Sequence, residues 1–166
     1  MKRSVWYYMI MALALLVILR APFMPYVCSE LLAAYLGYDT LTAAGLVEQM
    51  YILHSMPDSV SIFGYAHYEL ITMLLMILGV IMILLPIILE AVSLFLLWKG
   101  KTEKQHKTGI ILSAVTIFLF AAYLFVFTVA GSFLGVVTRA GYGIYIALAA
   151  SIIFTITASL KQKHEY

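Results

Sequence analysis

Residues 70–98 run for twenty-nine positions with a single charged side chain, Glu90. A stretch of that kind is at home only in hydrocarbon, where about 20 consecutive apolar residues in a helix cross the core. Three further runs share its character: residues 5–19 with their continuation toward Pro22, residues 108–130 and residues 141–160. Composition agrees, because the chain is 64% hydrophobic and 11% charged, whereas soluble domains hold about 45–50% apolar and about 25% charged residues. The sequence therefore predicts an all-α fold, a polytopic membrane protein built as a four-transmembrane-helix bundle in one membrane domain. The four spans fall at about residues 5–25, 70–98, 108–130 and 141–160. Between the first two lies a partly helical connection, about residues 26–69, and between the second and third a short loop, 99–107.

The first span follows Lys2 and Arg3 as a signal peptide would, but its exit, LRAPFMP, offers no small-x-small cleavage site, so a retained helix is expected. Orientation follows from the basic residues. Eight of the ten Lys/Arg residues (Lys2, Arg3, Lys99, Lys101, Lys104, Lys107, Lys161 and Lys163) share one side if the N-terminus is cytoplasmic, and only Arg20 and Arg139 fall on the other. Cytoplasmic loops carry the Lys/Arg excess. Both termini and the 99–107 loop are thus expected inside, and the connection holding Glu30, Asp39, Glu48, Asp58 and Glu69 is expected outside. Trp6, Tyr7, Tyr8 and Trp98 mark the cytoplasmic headgroup level. A cell-membrane location is the expectation.

The spans differ in length. The fifteen residues 5–19 are short, so Arg20 is expected at the outer interface, with Arg20 and Arg139 as outer anchors toward acidic residues or phospholipid headgroups. The twenty-nine residues 70–98 would extend about 43 Å against a core of about 30 Å. That helix must tilt, kink or project, and Pro86 marks the expected kink, since it removes a backbone donor and frees the Met82 carbonyl.

The outer connection is too apolar for a disordered linker and carries six of the twelve tyrosines. Ser29-Glu30 before LLAAYL, closed by Gly37, reads as a short capped helix, and a second helix is expected from Asp39 or Thr40 to before Pro57. Cys28, His54, Asp58, His67 and Glu69 lie in this region. Their types suit zinc or copper, yet no standard ligand spacing joins them, so His54, His67 and Glu69 are weak metal candidates beside the simpler reading of a polar rim. The single cysteine excludes an internal disulfide.

The one polar feature inside the spans centres on Glu90. Counting about 12 Å up from Trp98 places it level with Ser113 and Thr116 of the third span and Ser151 and Thr155 of the fourth. Gly79, Pro86, Glu90 and Ser93 share one helical face; so do Gly109, Ser113, Thr116 and Tyr123, and again Gly143, Ala147, Ser151 and Thr155. Stripes of small and hydroxyl residues describe packing faces, so the three stripes are expected to converge in an intramembrane polar layer. An ionisable residue at such depth is a proton or ion site by default, or else a hydrogen-bonded strut between helices.

No G-x-x-x-x-G-K-[ST], H-E-x-x-H or G-x-S-x-G motif is present, and no histidine lies within a span to bind haem. Four spans with a long first outer loop are similar in layout to claudin-type tetraspan proteins. Those carry a tryptophan and a cysteine pair in that loop, where this chain has Cys28 alone and no tryptophan. The resemblance implies a layout and no activity. The expected role is a non-enzymatic accessory or scaffolding subunit of a larger membrane complex. The alternatives are an oligomeric proton- or cation-coupled transporter or channel using Glu90, and a metal-binding membrane factor. Expected partners are the lipid bilayer and other membrane subunits or further copies of the chain, with no nucleic acid and no cofactor.

Overall fold

The computed structural model describes residues 5–29, 40–55, 68–130 and 138–164. Five α-helices are present among them: α1 (Val5–Arg20), α2 (Ala43–Ser55), α3 (Tyr68–Lys99), α4 (Glu103–Phe125) and α5 (Tyr142–His164). A 3-10 turn, Ala21–Phe23, extends α1, and a π-turn, Val126–Ala130, ends α4. Helix accounts for 88% of the described residues, and four stretches are long and apolar enough to cross a membrane: Val5–Phe23, Met76–Lys99, Glu103–Val129 and Tyr142–Leu160. Hydrocarbon offers backbone groups no water, so an apolar run of this length closes its hydrogen bonds within itself as helix.

The helices alternate in direction. Tyr8 Oη donates to the Leu97 carbonyl at 3.4 Å, which sets the start of α1 beside the end of α3. The turn from α3 to α4 is fixed by local chemistry. Gly100 N–H donates to the Leu96 carbonyl at 2.8 Å, and a Cβ on Gly100 would collide with that same oxygen. Thr102 then caps α4: its Oγ1 accepts from Gln105 N–H at 3.3 Å, while Gln105 Oε1 accepts from Thr102 N–H at 3.2 Å. Lys99, Lys101, Lys104 and Lys107 gather at this loop end.

The opposite end carries a small sheet that the helical reading of the sequence does not contain. Strands β1 (Pro25–Ser29), β2 (Thr40–Thr42) and β3 (Thr138–Ala140) pair antiparallel in the order β2-β1-β3. Cys28 stands opposite Thr40 on one side and Arg139 on the other. The central strand thereby ties the chain leaving α1 to the chain entering α5. Strands β2 and β3, of three residues each, are too short to display an alternating pattern, which needs about 4–8. Ser29, expected as a helix cap, is the last residue of β1, and the short helix expected after it lies outside the described residues. The second expected helix begins later than Thr40, because residues 40–42 pair with β1 and Thr42 Oγ1 accepts from Gly45 N–H at 2.9 Å, capping α2.

Helix α2 packs against the first part of α3, where Gly79 admits Val47: a Cβ there would stand 2.9 Å from Val47 Cγ2. Helix α3 continues through Pro86 as a single element of 32 residues, about 48 Å long. Its excess over the Met76–Lys99 span lies at the sheet end.

The inward stripes of α3 and α4 are rich in small and polar residues, while most of their large apolar side chains face outward. In α3 the buried positions are Pro86, Glu90, Ser93 and Leu97, and in α4 they are Gly109, Ser113, Thr116 and Phe120. Their outward faces carry Ile77, Ile81, Leu84, Ile88, Phe95, Ile111 and Phe118. Helices α1 and α5 are in contact and bury Met11, Ala14, Ile18, Ile144, Ala147, Ala150 and Phe154. At the sheet end Tyr26 is buried with its ring edge-on to Phe127, centroids 6.4 Å apart. Burial, and secondarily nearby Tyr123, push the Tyr26 phenol above the ordinary tyrosine range, so it stays neutral.

Gly141 joins the sheet to α5. Its N–H donates to the Tyr26 carbonyl at 2.8 Å, and a Cβ would overlap the Pro25 carbonyl. Gly141→Ala is expected to destabilise the protein by about 1–3 kcal/mol, as overpacking against fixed backbone does. Unfolding in mixed micelles measures this; an unchanged midpoint would show that the sheet end is not rigidly seated.

Candidate functional site

The site is built from three helices that each place a short polar side chain on the inward face. In α3, Pro86, Glu90, Ser93 and Leu97 recur at intervals of four, three and four residues, so they stack along one side of the helix. In α4 the same spacing aligns Gly109, Ser113, Thr116 and Phe120. Helix α5 contributes Ser151 and Thr155, one turn apart. Glu90, Ser93, Ser113, Thr116 and Ser151 are all 0% exposed, and Thr155 is half-buried.

Ser113 is the junction. Its Oγ lies 3.3 Å from Glu90 Oε1 and 2.5 Å from Thr155 Oγ1, while Thr155 Oγ1 donates to the Ser151 carbonyl at 2.9 Å. One serine therefore touches α3 and α5 from α4. Ser113 donates to Glu90 Oε1, and its oxygen also meets the Thr155 hydroxyl, which donates to its own helix.

Around this junction the packing is close. Ser93 Oγ donates to the Gly109 carbonyl at 2.7 Å, a direct bond from α3 to the α4 backbone. Gly109 permits the approach, since a Cβ there would stand 3.2 Å from the Ser93 carbonyl oxygen and 3.1 Å from Leu97 Cγ. Thr116 is buried in the same stripe, but its Oγ1 donates to the Leu112 carbonyl of its own helix at 3.2 Å and joins no neighbour. Among the described residues, two buried polar atoms, Glu90 Oε2 and Ser151 Oγ, have no hydrogen-bond partner. The Ser151 hydroxyl does stand near enough to act on the carboxyl, without a hydrogen bond of acceptable distance and angle. Residues 108–129 and 142–160 contain no lysine, arginine or histidine, so those stretches of α4 and α5 present no cation to the carboxyl.

The structure thus brings together Glu90, Ser113 and Thr155, with Ser151 adjoining and Pro86 buried one turn from Glu90. Ser93 is the residue that counting for depth leaves out of the layer. A hydroxyl three positions after Glu90, set against a glycine stripe, is the signal that marks it. Arg20 and Arg139 are exposed at the sheet end, and neither forms an ion pair with a described residue. Among the metal candidates, Asp58 and His67 lie outside the described residues; Cys28 is in β1, His54 in α2 and Glu69 in the first turn of α3. Among the described residues no three of His, Cys, Asp and Glu are grouped to hold a metal ion. The chain matches no protein-family model, no curated protein and no solved structure.

Ser113→Ala is expected to cost about 0.6–2 kcal/mol, the range of inter-helix hydrogen bonds in membranes, and to leave the bundle folded. Thr116→Val, whose hydroxyl serves its own helix, should cost less. Reversible unfolding of both variants in mixed micelles compares them, and equal losses would contradict the junction.

Proposed function

We propose that the chain is a non-enzymatic integral-membrane accessory or scaffolding subunit of a larger membrane complex. The observation that carries this reading is that the polar groups in the spans meet chiefly across helices, in the interior. Ser113 meets Glu90 and Thr155, Ser93 meets Gly109, and the side chains concerned are withdrawn from the surface. Such an interior holds helices together and gives the bundle a fixed shape to present. That shape includes a sheet in which both connections at one end share a strand, with Phe23 exposed just before it and Tyr51 exposed on α2. Exposed Met73 on α3 adds an adaptable contact to this end.

In this proposal the lysine-rich loop end and both termini are cytoplasmic and the sheet end faces outward across the cell membrane. The support is the gathering of Lys99, Lys101, Lys104 and Lys107 at one end, against Arg20 and Arg139 at the other. The partners are other membrane subunits or further copies of the chain. Purification in mild detergent should recover a distinct larger membrane protein in fixed proportion. Recovery of the lone chain or its homo-oligomer alone would contradict the proposal.

A second reading is favoured by one specific observation, the unpartnered Glu90 Oε2 and Ser151 Oγ in the layer. It makes the chain a small oligomeric transporter or channel that moves protons or cations past Glu90. One four-helix bundle encloses little lumen, so several copies would form the pathway. On this reading Glu90→Gln abolishes pH-dependent flux in reconstituted vesicles while the protein still folds; unchanged flux removes it.

A further inference from the structure

The side of the bundle formed by α1 and α5 carries an open groove of about 590 Å³. Ala14, Ala149 and Ala150 give it room, and Val17, Ile146 and Ile153 are among the branched side chains that line it. Arg20 is the only charged residue in the lining, and it stands at the last position of α1, at the sheet end. We propose that this groove binds one phospholipid, with an acyl chain lying between α1 and α5 and an anionic headgroup phosphate against the Arg20 guanidinium.

Three features specify the occupant. The lining is apolar along its length, which suits a hydrocarbon chain and offers nothing to hold a free phosphate away from water. It also runs from Arg20 down to Ile10 of α1, ten residues or about 15 Å. That is half of a hydrocarbon core of about 30 Å, the depth of one leaflet. Finally, the charge is at the correct end. Arg20 is exposed at the outer limit of the Val5–Phe23 span, where headgroups lie, and its fork of donors matches phosphate oxygens. None of the residues lining the groove is acidic, so the guanidinium meets no competing carboxylate there. A transmembrane helix of another protein would fill the apolar part equally but would leave the cation at the headgroup level without a counterpart. This inference is independent of the accessory-subunit reading, since a lipid can be held whether or not a partner protein binds.

Native mass spectrometry of the full chain, released from vesicles of equal phosphatidylglycerol and phosphatidylcholine, tests it. Wild type should retain one phospholipid per chain with a several-fold preference for phosphatidylglycerol. Arg20→Gln, a change at an exposed position, should lose that preference while still retaining lipid. Ala149→Phe, also at an exposed position, should fill the groove and lose retention of both lipids. Equal retention by all three proteins would overturn the proposal. So would an Ala149→Phe change that splits a homodimer without altering the bound lipid, because the occupant would then be a second copy. The Arg20→Gln arm decides the headgroup assignment even if the bulkier variant does not fold.

Discussion

The Ser113 hydroxyl, set between the Glu90 carboxyl and the Thr155 hydroxyl, is the contact around which three of the four spans are arranged. Its importance follows from the solvent. Lipid tails are as apolar as leucine, so burying Leu or Ile between helices in a bilayer gains little. Association rests on hydrogen bonds and on close approach of small residues. The chain uses both devices in different places. Helices α3 and α4 meet through Ser93 and Gly109, α4 meets α3 and α5 through Ser113, and α1 and α5 meet with Ala14, Ala147 and Ala150 buried. Most large apolar side chains of α3 and α4 face outward, while Met11, Ile18, Ile144 and Phe154 fill the α1–α5 contact.

The sheet end answers a different requirement. Two connections leave the bundle there, and β1 accepts hydrogen bonding from both, through β2 on one edge and β3 on the other. Buried Tyr26 anchors this strand against Phe127 beyond the end of α4, and Gly141 lets the backbone entering α5 pass close to Pro25. The result is that α1, α2, α4 and α5 are all fastened at that end through one five-residue strand.

Much of this organisation is legible in the sequence, and the reason is physical. Hydrocarbon imposes a length and a polarity on any spanning helix, so the four runs declare themselves, and helical periodicity puts Glu90, Ser113 and Thr155 on inward faces once the span ends are used as depth markers. The sheet is not legible, because Thr40–Thr42 and Thr138–Ala140 are too short to show alternation and acquire strand geometry only from β1. The residues 40–42 carry the composition of a helix start, and Thr42 does serve as the α2 cap, so the expectation was displaced by three residues rather than reversed. Thr116 shows the limit of periodicity: its spacing places it in the layer, but whether a threonine reaches a neighbour or turns back to its own helix depends on rotamer and local packing.

Cysteine cross-linking at the junction tests the central claim most directly. In a Cys28→Ser background, Ser113→Cys with Thr155→Cys should place two thiols where the hydroxyls stand 2.5 Å apart, and mild oxidation should join α4 to α5 within each chain. The pair Ser113→Cys with Ile152→Cys, in which the second position faces outward, should stay reduced. Cross-linking of the outward pair, or of neither, would contradict a layer in which one serine joins three spans.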